Sequence, residues 1–174
     1  MDLKNKRILG IDPGLETTGV SVIDISDSSS YKIIFCDCII TSKNKKIPQR
    51  LSEIYEGISE VIQKCEPSCL AIEELFFAAN AKTAMNVGQA RGTVLLAAFL
   101  NNMEIYEYTP LEVKQAITGY GRASKEQIKY MIKVILKIKE NSFVPKKDDA
   151  WDSLAIAVCH ANSSNFYKKI KKAF

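Results

Sequence analysis

Two apolar segments of this chain end directly on carboxylates, and this repeated pattern restricts the folds open to it. Residues 8–11, Ile-Leu-Gly-Ile, are followed by Asp12 and a Pro-Gly pair. Residues 69–72, Cys-Leu-Ala-Ile, are followed by Glu73 and Glu74. A carboxylate at the end of a buried strand is costly unless it is paired or binds a cation. We therefore expect a sheet that brings these acids to partners from elsewhere in the chain.

Strands and helices alternate along the chain, as judged from apolar periodicity, capping residues and breaker residues. The predicted order is strands over 7–11, 20–23 and 31–40, a helix over 51–62, a strand over 69–72, a helix over 82–100, a strand over 105–108, helices opened by capping boxes at 109–112 and 124–127, and a last helix over 149–161. This alternation predicts an α/β fold, with a mixed sheet flanked by helices and ligands near strand ends. No repeat interrupts it, so we expect one domain over residues 1–174.

Composition excludes several classes of protein. Of the 174 residues 47% are hydrophobic, enough for a substantial core. The longest apolar stretch, VLLAAFL, is far below the roughly 20 residues of a membrane span, and no signal peptide is apparent. We therefore expect a soluble, cytoplasmic protein. The five cysteines are odd in number and include no CxxC pair, which favours reduced core residues over disulfides or a zinc site.

Charge is distributed unevenly between the two parts of the chain. Residues 1–110 hold 11 Lys/Arg against 14 Asp/Glu, whereas residues 111–174 hold 13 against 6. A basic C-terminal third beside an acidic first part fits a protein that binds phosphates with one region and performs chemistry with another. Lysines spread over solvated helix faces are the plain alternative for part of this charge.

A third group of acids opens the last predicted helix, in the segment KKDDAWDSLAIAVCH. Asp152 lies at the edge of the apolar stripe of this helix, with Asp148 and Asp149 on either side of it one turn back. Two carboxylates one turn apart thus border the core. The stripe consists of Trp151, Leu154, Ala155 and Val158.

Each acid also has a plain structural explanation. Asp12 before Pro-Gly suits a turn, Glu73 or Glu74 suits a salt bridge, and Asp148 or Asp149 suits a helix cap. A shared site is favoured because all of them terminate apolar segments that one sheet could bring together. Oxygen ligands are those that Mg²⁺ or Mn²⁺ prefers, whereas zinc would require His or Cys.

Five motifs follow one another along nearly the whole chain: GIDPG with a following TG, AIEE-x-F, GQARG, VK-x4-G-x-G-x-A-x-K and DDAWDSLAIA. As an ordered set they resemble the RuvC family of bacterial Holliday-junction resolvases. The resemblance implies a ribonuclease-H-like fold with a mixed five-stranded sheet, and a homodimer that nicks two opposed strands of four-way junction DNA. It implies two Mg²⁺ ions per site, with Mn²⁺ able to substitute, and a junction-migrating helicase complex as a partner.

Carried over position by position, the resemblance implies that Asp12, Glu73, Asp149 and Asp152 are the catalytic, metal-binding acids. It selects Asp149 where periodicity leaves Asp148 and Asp149 equivalent. Mutating Asp12 or Glu73 to the amide is then expected to remove cleavage and leave junction binding intact.

DNA contacts are expected from a second group of residues. Phe76 matches an aromatic that the family uses near the junction crossover, and Lys114 and Lys125 match basic residues that contact the DNA backbone. The loop at 119–125, GYGRASK, independently offers glycines, free N–H groups at a helix start and the charges of Arg122 and Lys125. A capped helix after a flexible turn is the plain reading of that loop.

Gly88 and Gly92 lie one turn apart on the helix predicted over 82–100. Glycine costs roughly 1 kcal/mol against alanine within a helix, so close packing is expected at these positions. The partner is either the chain's own sheet or a second copy, and the resemblance favours the second copy.

Two positions depart from the family pattern, and one histidine invites interpretation. Glu74 stands where an uncharged residue is common, and Trp151 stands where a small residue is usual. We expect altered packing beneath the site without loss of activity. His160, the one histidine of the chain, is expected to be structural.

Three other functions remain open on the sequence. The same acids serve ribonuclease-H-like nucleases that act on RNA–DNA hybrids or precursor RNA. A phosphate loop of the actin-like type also begins with GID-x-G, but such proteins need two lobes and usually twice this length. A junction-binding protein without catalysis is disfavoured because all four acids are present.

Overall fold

The computed structural model describes residues 7–25, 30–74, 81–138 and 145–173, with the backbone alone at 81–82 and 164–173. Five strands and five helices are present in these segments. In chain order they are β1 (Arg7–Asp12), β2 (Thr17–Ile25), β3 (Tyr31–Ile40), α1 (Ile47–Cys65), β4 (Cys69–Glu73), α2 (Ala81–Leu100), β5 (Glu104–Tyr108), α3 (Pro110–Thr118), α4 (Lys125–Ile135) and α5 (Asp148–Ala173).

The strands form one mixed sheet in the order β3-β2-β1-β4-β5. β1, β2 and β3 make an antiparallel meander, whereas β4 pairs parallel to β1 and β5 pairs parallel to β4. The carboxyl ends of β1, β4 and β5 therefore lie at the same edge of the sheet. In α/β sheets such an edge is where ligands bind.

Helices cover both faces of the sheet. On one face, α1 and α2 pack over Leu9, Ile11, Leu70 and Ile72, all fully buried. On the other face, α3, α4 and α5 form a second core around Ile23, Ile132, Leu154 and other buried side chains. Residues of β1 alternate between the two cores, as the period of two in a strand requires.

α5 lies unusually close to the sheet, and two glycines permit the approach. A Cβ built at Gly10 would overlap with the carbonyl oxygen of Ser153, and one built at Gly19 would overlap with that of Asp149. Gly10 and Gly19 belong to β1 and β2, which pair with each other. The beginning of α5 is thus fixed against the middle of the sheet by two positions without side chains.

The predicted fold class is confirmed, and the order of elements agrees with the prediction. The largest boundary error is at the last helix, which does not end at Ala161 but continues to Ala173. β2 (Thr17–Ile25) and α1 (Ile47–Cys65) also begin three and four residues earlier than predicted. Residues 162–173 contain no Gly or Pro, so nothing in them ends a helix. All five cysteines are free thiols, four of them buried, as expected. Among the described helices, none combines the length and apolarity needed to cross a bilayer.

Candidate active site

Asp12 and Glu73 are neighbours at the shared edge of the sheet. Asp12 is the last residue of β1 and Glu73 the last residue of β4. The two strands are parallel, and Ile11 is paired with Ile72, so the next residue of each strand is an acid. The repeated pattern of an apolar strand ending on a carboxylate therefore brings two carboxylates side by side.

The beginning of α5 brings two further acids to this edge. Asp149 lies in the first turn of the helix and Asp152 in the next, and the main chain of Asp149 contacts Gly19. Gly19 is paired with Asp12 across β1 and β2. We call Asp12, Glu73, Asp149 and Asp152 the carboxylate cluster.

The electrostatics of Asp12 show that the four acids share one site. The pKa of Asp12 is raised from 3.8 to about 7, first by burial and then by the negative charges of Glu73, Asp152 and Asp149. The positive charge of Lys125 acts in the opposite direction. Burial together with like charges is the environment that disfavours ionisation of a carboxyl group most strongly.

The pKa values of Glu73 and Asp152 are raised as well. Burial raises the pKa of Glu73, and Asp152 raises it further. Burial also raises the pKa of Asp152. Lys125 opposes both shifts, and Lys114 opposes the shift of Glu73. The site thus holds more negative charge than its own two lysines neutralise.

Asp148 and Asp149 adopt different roles although they are adjacent. The carboxylate of Asp148 is exposed and lies 2.9 Å from Nζ of Lys129, which lowers the pKa of Asp148. Asp149 instead contributes negative charge at Asp12. Asp148 also raises the pKa of Asp152, as Asp149 does, so the choice of Asp149 over Asp148 stays a prediction that the ion pair of Asp148 with Lys129 favours.

The predicted DNA-contacting residues lie in different places. Nζ of Lys125, at the start of α4, is 3.6 Å from Oδ2 of Asp152, and Lys114 on α3 is near enough to Glu73 to lower its pKa. Arg122 is exposed in the turn between α3 and α4. Phe76 lies outside the described residues. Two of the predicted basic residues are therefore at the edge of the carboxylate cluster itself.

The donor set fits a hard divalent cation. All four groups of the cluster are carboxylates, and the negative charges that raise the pKa of Asp12, after the larger effect of burial, are ones that a cation would neutralise. Within the described segments, no group of three or more Asp, Glu, His or Cys side chains is arranged closely enough to hold a metal ion. The fit therefore rests on the chemistry of the four carboxylates, whose oxygens are the ligands that such a cation prefers.

Comparison with known proteins identifies the family. The family model for the crossover junction endodeoxyribonuclease RuvC matches residues 8–160 of the chain. The chain belongs to the RuvC family. A RuvC crossover junction endodeoxyribonuclease of Desulforamulus reducens is 47% identical over 94% of this chain and 99% of its own length. One of Caldicellulosiruptor saccharolyticus is 48% identical over 91% of this chain and 94% of its own.

A solved RuvC structure has the same fold. Thermus thermophilus RuvC in complex with a Holliday junction substrate superposes with a TM-score of 0.87 and 33% identity, covering 93% of this chain and 96% of that one. The ribonuclease-H-like architecture expected from the resemblance is thereby confirmed for this RuvC family member.

One residue that supports the site was missed at the level of sequence. Arg91 of α2 donates a hydrogen bond from Nε to the carbonyl oxygen of Glu73 at 3.2 Å and forms an ion pair with Glu107. It thereby ties the end of β4 to α2. The GQARG motif contains Arg91, but its contact with a strand end is tertiary and leaves no local signal.

Trp151 and Glu74, the two residues that depart from the family pattern, lie in different environments. The indole of Trp151 is buried, and its Nε1 donates a hydrogen bond to the carbonyl oxygen of Pro145 at 3.2 Å. Nζ of Lys133 lies over the ring, 5.5 Å from its centroid. The indole fills space between α4 and α5 behind the acids. Glu74 is exposed, and its N–H donates to the carbonyl of Tyr108 at 2.8 Å.

Proposed function

We propose that this chain resolves four-way DNA junctions by Mg²⁺-dependent hydrolysis at the carboxylate cluster, nicking two opposed strands as a homodimer. Membership of the RuvC family makes it a crossover junction endodeoxyribonuclease, with Holliday junctions as its substrate and recombination and repair as its context. The observation that carries the assignment of the site is the convergence of three acids, Glu73 from β4 and Asp149 and Asp152 from α5, on Asp12 at the end of β1.

Asp12, Glu73, Asp149 and Asp152 are the residues that would hold two Mg²⁺ ions, with Mn²⁺ as a substitute. When bound, the ions supply an activated water and relieve charge on the phosphate and the leaving oxygen. The acids themselves must be ionised for this role, and their mutual repulsion ensures strong attraction for cations.

The basic residues around the carboxylate cluster assist by positioning DNA. Lys125 and Lys114 lie beside the acids, so they can contact phosphates near the cleaved bond while limiting the net negative charge of the site. Arg122, exposed in the α3–α4 turn, extends this surface, and we propose Phe76 as a further residue that contacts DNA. Phosphate contacts of this kind provide affinity without sequence information, and binding should weaken steeply with salt.

The homodimer is supported by an exposed apolar face on α2. Met85, Leu96, Phe99 and Leu100 are between 53% and 71% exposed. Gly92 lies on the same face, and a Cβ built there would meet nothing within 4 Å, so this glycine does not pack on its own sheet. Patches of this kind mark interaction surfaces, and two-fold symmetry suits two symmetric nicks.

Light scattering on the Phe99→Glu variant tests the dimer. We expect a dimer for the unmodified chain and a monomer for Phe99→Glu, because a charge would be buried at the interface. Tyr130→Glu is the matched control, since Tyr130 is comparably exposed at 66% on α4. A monomeric unmodified chain would refute the dimer.

A cleavage assay tests the activity as a whole. The protein is incubated with Mg²⁺ and, separately, with a four-way junction, a linear duplex and an RNA–DNA hybrid. Paired nicks near the crossover of the junction alone are expected. Cleavage of the hybrid in preference to the junction would instead favour the other ribonuclease-H-like reaction.

Two further parts of the proposal concern the cell. A resolvase acts on junctions that another enzyme has formed and moved, so we propose a junction-migrating helicase complex as a partner. Because its substrate is chromosomal DNA, we assign the protein to the cytoplasm. Co-purification with the helicase from cells producing a tagged chain would test the first point.

A further inference from the structure

A pocket of about 560 Å³ opens beside Asp149. Its walls come from the turn between β1 and β2, from the segment that leads into α1 and from the first turns of α2. Five of the side chains that line it are charged or polar and bear on the argument: Glu16, Lys43, Arg50, Asn86 and Asp149.

Arg50 is the unusual member of this wall. It is 8% exposed, and its Nε donates a hydrogen bond to Oγ1 of Thr41 at 2.7 Å. The Thr41 hydroxyl in turn donates to the carbonyl oxygen of Leu15 at 2.5 Å, which fixes the guanidinium against the β1–β2 turn. Within the described residues, no carboxylate lies at ion-pair distance from Arg50. A buried guanidinium without a counter-charge is unfavourable, so its position needs an explanation.

The acids that line the pocket are already engaged. Glu16 lies 3.1 Å from Nζ of Lys43, and Asp149 belongs to the carboxylate cluster. The acids that line the pocket therefore do not supply a counter-charge for Arg50. A planar guanidinium matches the oxygens of a phosphate.

We propose that this pocket binds a backbone phosphate of the cleaved DNA strand, adjacent to the phosphate that is hydrolysed, with Arg50 as its main ligand. The inference rests on the proposed function, because Asp149 is the point at which the pocket meets the carboxylate cluster. Arg50 acts as a positioning residue: by anchoring the neighbouring phosphate it fixes the register of the strand over the acids.

Salt-dependent binding measures the contact directly. In a Glu73→Gln background, so that DNA stays intact, Kd is measured for a four-way junction and for a linear duplex in Mg²⁺ over a series of salt concentrations. Arg50→Gln is expected to weaken binding roughly 10- to 100-fold and to make the slope of log K against log salt shallower by about 0.7–0.9, the contribution of one phosphate.

Lys64→Gln is the matched control. It removes the same charge from the exposed last turn of α1, and its salt slope should equal that of the parent. Arg50→Lys keeps the charge but loses the parallel N–H donors of the guanidinium. We therefore expect its salt slope to equal that of the parent and its affinity for DNA to fall several-fold. This variant carries the test should Arg50→Gln fail to fold, and unchanged affinity of Arg50→Lys would then overturn the proposal.

The outcomes separate this inference from the proposed function. Thr41→Val removes the hydrogen bond of Arg50 but keeps the charge of Arg50. Thermal unfolding of the variants without DNA measures how much Arg50 contributes to stability. A lower Tm of Arg50→Gln with a salt slope equal to that of the parent would overturn the phosphate site and leave the nuclease intact. A parent protein that binds the linear duplex as tightly as the junction would count against junction selectivity. A shallower salt slope for Arg50→Gln on that duplex would still support the phosphate site. A parent that bound neither DNA would overturn both.

Discussion

β4 connects two polar clusters of opposite character. At its end, Glu73 joins the carboxylate cluster, in which like charges face one another. At its start, Cys69 joins His160, whose Nε2 lies 3.5 Å from the Cys69 sulfur and whose Nδ1 lies 2.7 Å from the Tyr108 hydroxyl. Tyr106 packs on the same imidazole, with ring centroids 4.3 Å apart. We call these four residues the His160 cluster.

The difference lies in what completes each cluster. In the His160 cluster, donors and acceptors of the chain satisfy one another, and burial raises the pKa of Tyr108, so its hydroxyl stays protonated. In the carboxylate cluster, burial and neighbouring carboxylates instead raise the pKa of Asp12, Glu73 and Asp152. Buried polar groups that satisfy each other stabilise the fold, whereas groups that repel each other indicate a ligand of opposite charge.

Replacing an acid should have the largest effect. Asp12→Asn, and likewise Glu73→Gln, is expected to reduce junction cleavage by roughly 10³-fold or more, because it removes electrostatic stabilisation of the transition state. Junction binding should persist. Cleavage rates and Kd are measured in Mg²⁺, with Asp148→Asn as the control. Full cleavage activity of both Asp12→Asn and Glu73→Gln would show that the carboxylate cluster does not carry out the reaction.

Moving the acids without changing them should have the next largest effect. A Cβ at Gly19 would overlap with the carbonyl oxygen of Asp149, so Gly19→Ala should displace the start of α5. A displacement of about 1 Å costs on the order of 10²-fold in rate, and overpacking costs about 1–3 kcal/mol of stability. Rates measured well below the Tm of the variant separate the two effects. An unchanged rate would mean that α5 adjusts freely.

In metal-free buffer the carboxylate cluster should destabilise the protein as pH rises. Asp12 ionises near 3.8 when unfolded and near 7 when folded, so the folded state binds the proton more strongly between these values. The contribution of Asp12 to the free energy of unfolding therefore falls from about pH 4 to about pH 7 by a few kcal/mol and levels off above. Chemical denaturation in EDTA measures this fall.

Asp12→Asn should remove much of that pH dependence. Asp148→Asn is the matched control on α5, because the pKa of exposed Asp148 is lowered by Lys129 rather than raised. A steep fall that survives in Asp12→Asn would mean that other groups cause it.

The smallest effect is expected in the His160 cluster. Tyr108→Phe removes the hydroxyl at 2.7 Å from Nδ1 of His160 and should cost about 1–2 kcal/mol of unfolding free energy. Cleavage should stay within a few-fold of the parent, since the cluster completes itself without a ligand. A large loss of cleavage at unchanged stability would show that the two clusters are coupled through β4.

Local signals accounted for most of the fold. The capping boxes at Thr109 and Ser124 are present as predicted, and Gly119 ends α3 with φ of 72°. The strand-terminal acids indicated the site because a carboxylate after an apolar run is costly in itself. The end of α5 was misjudged because the segment after Ala161 carries no stop signal, and the boundary was placed where the apolar stripe ends.

The remaining features depend on contacts between distant residues. Neither the hydrogen bond of Arg91 to the end of β4 nor the burial of Arg50 follows from its neighbours in sequence. The ion pair that distinguishes Asp148 from Asp149 is made with Lys129, which lies on another helix. Such partners are decided by packing, which periodicity along one element does not describe.

The close seating of α5 on Gly10 and Gly19 has a consequence for mutational surveys of this enzyme. A screen scored by DNA cleavage alone would group Gly19 with the acids, although Gly19 has no side chain to take part in the reaction. Scoring protein abundance in parallel should separate the two groups, because we expect the amide variants to fold and Gly19→Ala to lose stability. Substitutions meant to change the chemistry therefore belong at the acids, and Gly10 and Gly19 are best left unchanged, because a side chain there would meet the backbone of α5.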